Sequence, residues 1–152
     1  MLKYLVVALA LCAVAHADEW KPKTGEEIKN IRVECLKENP LSNDQIAQLK
    51  NLVFPDEPDV RQYLTCTATK LEIFCSEQGY HADRLAKQFK MDLSEEEALQ
   101  IAQSCIDDNA QKSPTDEWAF RGHRCMMASK IGDKVRAFVK AKQEEAKKSA
   151  AA

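Results

Sequence analysis

The sequence predicts an all-α protein, six to seven short helices enclosing an apolar cavity, and three observations carry that prediction. Apolar residues recur by three or four along most of the chain, the period of a helix with one buried face. Three helix starts carry the Ser/Thr-x-x-Glu/Gln capping box, at Thr24 and Glu27, Ser42 and Gln45, and Ser94 and Glu97. No stretch sustains a two-residue alternation and the chain holds only 4 glycines, so no strand is expected.

The N-terminus is set aside first. Residues 1–17 carry a lone charge at Lys3, an apolar run from Tyr4 to Val14, and Ala15-His16-Ala17 ahead of Asp18. That is the pattern of a secretory signal with an A-x-A cleavage site. The run falls short of the roughly 20 residues that span a bilayer. Residues 18–152 then form one helical domain destined for extracellular fluid.

The first helix opens at Thr24, carries Ile28, Ile31, Cys35 and Leu36 on one face, and stops at Asn39-Pro40. The second opens at Ser42 and turns Ile46, Leu49 and Val53 inward. Pro55 and Pro58 break it and launch a central helix, expected over Val60–Gln78 and stopped by Gly79. Val60, Tyr63, Leu64, Thr67, Leu71 and Phe74 share about 100° of its arc, the width of a core-facing stripe. Cys66 lies on the flank beside Gln62 and Lys70, and Cys75 at the stripe's edge. A fourth helix runs from about His81 to Phe89, with Leu85, Ala86 and Phe89 inward. A fifth opens at Ser94 and carries Ala98, Leu99, Ala102, Cys105 and Ile106. Ser113-Pro114, followed by Asp116 and Glu117, starts a sixth: cap, proline in the first turn, acids at the positive end of the dipole. Ile131, Val135, Phe138 and Val139 mark a seventh, and the polar, small-residue tail from about 143 to 152 is expected to fray.

Composition excludes several function classes. Without Lys3 the chain has 21 basic and 24 acidic residues and no basic stripe, which argues against nucleic acid as a partner. There is no glycine-rich phosphate loop and no Ser-His-Asp signature. The histidines beyond the leader, His81 and His123, have no second Cys/His cluster to complete a metal site. Asp107-Asp108-Asn109 lacks the central glycine of a calcium loop. No catalytic residue, metal or cofactor is therefore expected.

Cys12 leaves with the leader, and Cys35, Cys66, Cys75, Cys105 and Cys125 remain. In an oxidising compartment an odd count means two bridges and a leftover thiol, or an intermolecular bridge, and the residues alone leave the pairing open. Thirty residues separate Cys35 from Cys66, thirty-eight Cys66 from Cys105, and nineteen Cys105 from Cys125. This spacing resembles the insect odorant-binding protein family, the pheromone and general odorant-binding group. That family's pattern has six cysteines, the second four positions before the third and the fifth nine before the sixth. Here those positions hold Gln62 and Asp116, which resembles the subgroup lacking both, the minus-C odorant-binding proteins.

The resemblance implies bridges Cys35–Cys66 and Cys105–Cys125, with Cys75 a buried free thiol. A bridge between the central and sixth helices would be absent, removing roughly 3–4 kcal/mol of loop-closure stabilisation. A hydrogen bond between Gln62 and Asp116 is expected in its place. The implied function is to bind and solubilise a small hydrophobic ligand (odorant, pheromone or fatty-acid-like), without catalysis, as a monomer or weak dimer that delivers it to a membrane receptor. A helical pocket needs mostly apolar walls. The expected wall residues are Leu52, Phe54, Tyr63, Leu71, Phe74, Leu85, Phe89, Met91, Leu99, Trp118 and Phe138. Lys70 is expected at the mouth, its ammonium meeting an anionic head group. Met91, Met126 and Met127 suit a cavity that re-packs around varied shapes. His81 is expected in solvent, with little pH dependence of binding down to mildly acid conditions. The rival reading is a secreted helical interaction or signalling factor with a solid core.

Overall fold

The structure, a computed structural model, describes residues 19–151; the expected leader lies outside the described residues. Seven helices follow one another: α1 Gly25–Glu38, α2 Asn43–Lys50, α3 Pro58–Lys70, α4 Ala82–Phe89, α5 Glu95–Ser104, α6 Thr115–Ala128 and α7 Lys130–Ala151. The starts of α1, α2 and α5 follow from side chains that satisfy the first, otherwise orphaned, amides. At α1, Glu27 N donates to Thr24 Oγ1 at 3.3 Å and Thr24 N to Glu27 Oε2 at 2.7 Å. At α2, Gln45 N donates to Ser42 Oγ at 3.2 Å and Ser42 N to Gln45 Oε1 at 2.8 Å. At α5 only half of the box forms: Glu97 N donates to Ser94 Oγ, while the Glu97 carboxylate turns to Lys130 on α7. α6 is capped by Pro114, one residue later than expected, and Ser113 Oγ instead accepts from Arg121 Nη1 at 2.9 Å.

The central helix is shorter than its apolar stripe. α3 stops at Lys70, because the chain closes a Schellman motif: Glu72 N donates to Thr69 O at 2.9 Å and Ile73 N to Ala68 O at 3.1 Å. Glu72 takes the left-handed conformation this motif needs, with φ of 59°. The expected helical residues beyond it form a short antiparallel hairpin, β1 Phe74–Cys75 paired with β2 Gly79–Tyr80. Gly79 therefore serves the hairpin and not a helix end. Its φ is +76°, and a Cβ there would lie 2.4 Å from Trp118 Cζ2, so both backbone and space demand glycine.

The hairpin also changes the fate of Cys75. Side chains alternate along a strand: Phe74 is buried and Cys75 only half-buried. Cys75 is disulfide-bonded, and among the described residues no cysteine is a free thiol. The expected free thiol is thus corrected. The other two bridges are as the resemblance implied. Cys35–Cys66 joins α1 to α3 and Cys105–Cys125 joins the end of α5 to α6, with S–S distances of 2.04 and 1.97 Å.

α3 packs most extensively on α6, and α4 on α5. Between α3 and α6 the expected Gln62–Asp116 bond is replaced by a neighbour's: Arg61 Nε donates to Asp116 Oδ2 at 3.0 Å. α6 turns into α7 across one residue, Ser129, and the junction is tight, since a Cβ on Gly132 would lie 2.1 Å from Met127 O. α7 continues as helix to Ala151, since its Ala, Lys, Glu and Gln are strong helix formers. Gln143 Nε2 reaches Lys50 O at 3.2 Å, so α7 crosses towards the end of α2.

Candidate functional site

Helix faces turned inward at i, i+4 spacing leave a space between them. α1 presents Ile28, Arg32 and Leu36; α3 presents Tyr63 and Thr67, with Leu71 just past its end; α4 presents Leu85 and Phe89. α6 adds His123, Met126 and Met127, and α7 adds Ile131 and Val135. The end of α2 and the loop after it close one side with Leu49, Lys50, Leu52 and Phe54, and Tyr80 of the hairpin closes another. They line a half-open cavity of about 320 Å³, at the small end of the roughly 300–1,000 Å³ of ligand pockets.

Leu52 reaches the cavity from the left-handed region, with φ of 56°. It ends α2 in a second Schellman motif, in which Val53 N donates to Gln48 O at 2.9 Å and Leu52 N to Leu49 O at 3.0 Å. Tyr80 reaches it because Gly122 has no side chain: a Cβ there would lie 2.6 Å from the Tyr80 ring.

The hydroxyl groups in the wall are engaged. Thr67 Oγ1 donates to Tyr63 O at 2.9 Å and Tyr80 OH to Ala119 O at 3.0 Å. Burial pushes the Tyr80 phenol above its ordinary pKa. Burial also raises Tyr63, against the opposing pull of the Arg32 charge and a hydrogen bond with Thr67. Arg32 and Lys50 line the cavity without an ion pair among the described residues. His123 packs edge-on against Phe54, ring centroids 4.4 Å apart, and its Nε2 is buried with no hydrogen-bond partner. Burial pushes its pKa down to about 4, so the imidazole is neutral at ordinary pH.

Of the expected wall, Leu52, Phe54, Tyr63, Leu71, Leu85 and Phe89 line the cavity, with Met126 and Met127. The rest lie elsewhere. Phe74 and Trp118 pack edge to face at 5.7 Å inside a solid cluster, because the hairpin carries Phe74 away from the α3 stripe. Leu99 packs into the cluster shared by α4, α5 and α7. Met91 sits in the turn after α4 with φ of 51° and does not reach the wall. Phe138 is 51% exposed, on the solvent side of α7 beside the half-buried Val139. Lys70 is not at the mouth either: its Nζ lies 3.0 Å from Glu34 Oε2 and 2.7 Å from Glu38 Oε1, both on α1. Sequence reasoning passed over Arg32, Lys50, Tyr80 and His123. Two of these were visible in principle, Arg32 between Ile28 and Leu36 and His123 before Met127, each at i, i+4 spacing.

The arrangement has a mostly apolar interior and, among the described residues, no activated group, and the family comparison agrees with it. The model of the PBP/GOBP family matches residues 17–129. The chain belongs to the PBP/GOBP family. The chain is similar to odorant-binding protein 22 of Aedes aegypti, 28% identical over 86% of this chain and 93% of that protein. General odorant-binding protein 99a of Drosophila melanogaster is 26% identical over 86% of this chain and 92% of its own. The crystal structure of the Locusta migratoria odorant binding protein lmigOBP1 superposes with a TM-score of 0.60 at 16% identity, covering 82% of this chain and 94% of that one, which supports a shared fold. PBP/GOBP proteins are carriers of small hydrophobic ligands and not catalysts.

Proposed function

We propose that this protein is a secreted carrier that takes up one small hydrophobic molecule, an odorant, pheromone or fatty-acid-like lipid, and keeps it soluble in extracellular fluid. The observation that carries this reading is the cavity of about 320 Å³ walled by apolar side chains from six of the seven helices. A solid-core interaction factor has no use for such a space, since an empty apolar cavity only destabilises. Leu52, Phe54, Tyr63, Leu71, Leu85 and Phe89 are the wall residues proposed to touch the ligand. The leader at 1–17 supports secretion, and the names of the odorant-binding relatives support the ligand class. Gln62 and Asp116 at the two positions the six-cysteine pattern reserves for cysteine support membership of the minus-C subgroup. Delivery to a membrane receptor, by a monomer or weak dimer, completes the reading.

Native mass spectrometry tests it. Protein purified from its source or from bacteria should retain an adduct of lipid mass that an organic extraction removes. Absence of any adduct, together with failure to take up an apolar fluorescent probe, would overturn the carrier reading.

A further inference from the structure

His123 is out of place in the cavity wall. A buried polar atom without a partner is rare in a native structure and calls for an explanation. Among the described residues only two buried side-chain polar atoms lack one, Trp20 Nε1 and His123 Nε2, and only His123 lines the cavity. None of the hydrogen bonds in the cavity wall reaches it. Phe54 meets the ring edge-on, Met126 and Met127 are its neighbours on α6, and the hydroxyls of Tyr80 and Thr67 are spent on Ala119 O and Tyr63 O. A trapped water is a poor substitute, since a buried water needs two to four polar partners.

We propose that His123 Nε2 is the polar anchor of the cavity, pairing with the single hydroxyl or carbonyl oxygen of an otherwise apolar ligand. This rests on the carrier reading. The chemistry suits a neutral imidazole, whose nitrogen accepts from an O–H in one tautomer and donates to a C=O in the other. The desolvated ring stays neutral well below neutral pH, so both options persist in extracellular fluid. The site would thereby distinguish oxygenated molecules from hydrocarbons of equal length, and it would place the oxygen at α6 with the apolar remainder directed past Leu71 and Phe89.

The test compares 1-decanol with 1-chlorodecane, alike in length and unlike in hydrogen bonding, as displacers of N-phenyl-1-naphthylamine. The ratio of their dissociation constants in the wild-type protein is set against that in His123→Phe, which keeps a ring against Phe54 and removes both nitrogens. The ratio should shift roughly tenfold against decanol in the variant, the scale of one buried hydrogen bond. In wild-type protein labelled with 15N-histidine, decanol and not chlorodecane should move the His123 Nε2 resonance, a readout that survives if the variant does not fold. An unshifted ratio, or an Nε2 resonance indifferent to decanol, overturns the anchor while leaving the carrier reading in place. If neither compound displaces the probe from wild type, the carrier reading itself fails.

Discussion

Arg61 ties the starts of two helices together: its Nε donates to Asp116 Oδ2 at 3.0 Å on α6, while its Nη1 holds Asp56 Oδ1 at 2.7 Å just ahead of α3. Both members of the Arg61–Asp116 pair are largely shielded, with side chains 18% and 24% exposed. Shielding raises the pair above an ordinary surface contact. Arg61→Leu should lower the urea midpoint without changing the slope, and Asp116→Asn should lower it less, because Asp56 remains. High salt should narrow the gap between wild type and Arg61→Leu; a gap indifferent to salt would mean that packing, not charge, joins these helices.

Lys70 should be silent in binding. Its ammonium is held by Glu38 and Glu34, whose hydrogen bonds raise its pKa, and it does not line the cavity. Lys70→Met should therefore leave the affinities for a fatty acid and its matching alcohol unchanged when measured by probe displacement. A selective loss of fatty-acid affinity would restore Lys70 as a head-group anchor.

Glu72 occupies a left-handed position that costs a non-glycine residue roughly 1–2 kcal/mol. Its carboxylate also meets Lys23 Nζ at 2.7 Å, an exposed pair of small value. Glycine at that position removes the steric cost and adds unfolded-chain entropy. Glu72→Gly should stabilise the protein by up to about 1 kcal/mol, read from the chemical denaturation midpoint.

Acid should weaken the fold before it weakens ligand binding. The His123 pKa is about 4 in the folded protein, against about 6.5 when the chain unfolds. Between these values the unfolded chain binds the proton and the native one does not. The contribution is thus complete above about pH 6.5 and is lost as pH falls towards 4, amounting to about 3 kcal/mol. His81 acts with the same sign, lowered first by burial and then by Arg84. Asp107, held down mainly by Arg121, and Asp92, held down mainly by Lys134, act in a lower window. Thermal melts from pH 7.5 to 4 should slope downwards in wild type and flatten in His123→Phe, while probe affinity stays level to about pH 5.

Helix starts were legible because capping is local: Thr24 with Glu27 and Ser42 with Gln45 announce themselves within four residues. The end of α3 was not, because its left-handed position is filled by Glu72 and not by glycine. The apolar stripe also runs on through Leu71 and Phe74 as though the helix continued. The cavity was half legible for a related reason. Periodicity identifies inward faces and cannot tell a face lining a space from one filling a core, so Tyr63 and Trp118 carried the same signal. Lys70 lies beside the stripe, and only the placement of α1 shows that Glu34 and Glu38 claim it.

The early stop of α3 also shapes the cavity. Continued as helix, residues 71–78 would extend the rod by about 12 Å. Folding back instead delivers Ile73 and Tyr80 to the cavity from a two-stranded turn. The helices set the frame, fastened by bridges and caps, and their side chains cannot change much without disturbing two faces at once. The turn is pinned as firmly as they are: Tyr80 donates its hydroxyl to Ala119 O and presses its ring against Gly122, and Ile73 is buried in the cluster it shares with Phe74. A change of volume at either residue would therefore be felt by α6 as well as by a ligand.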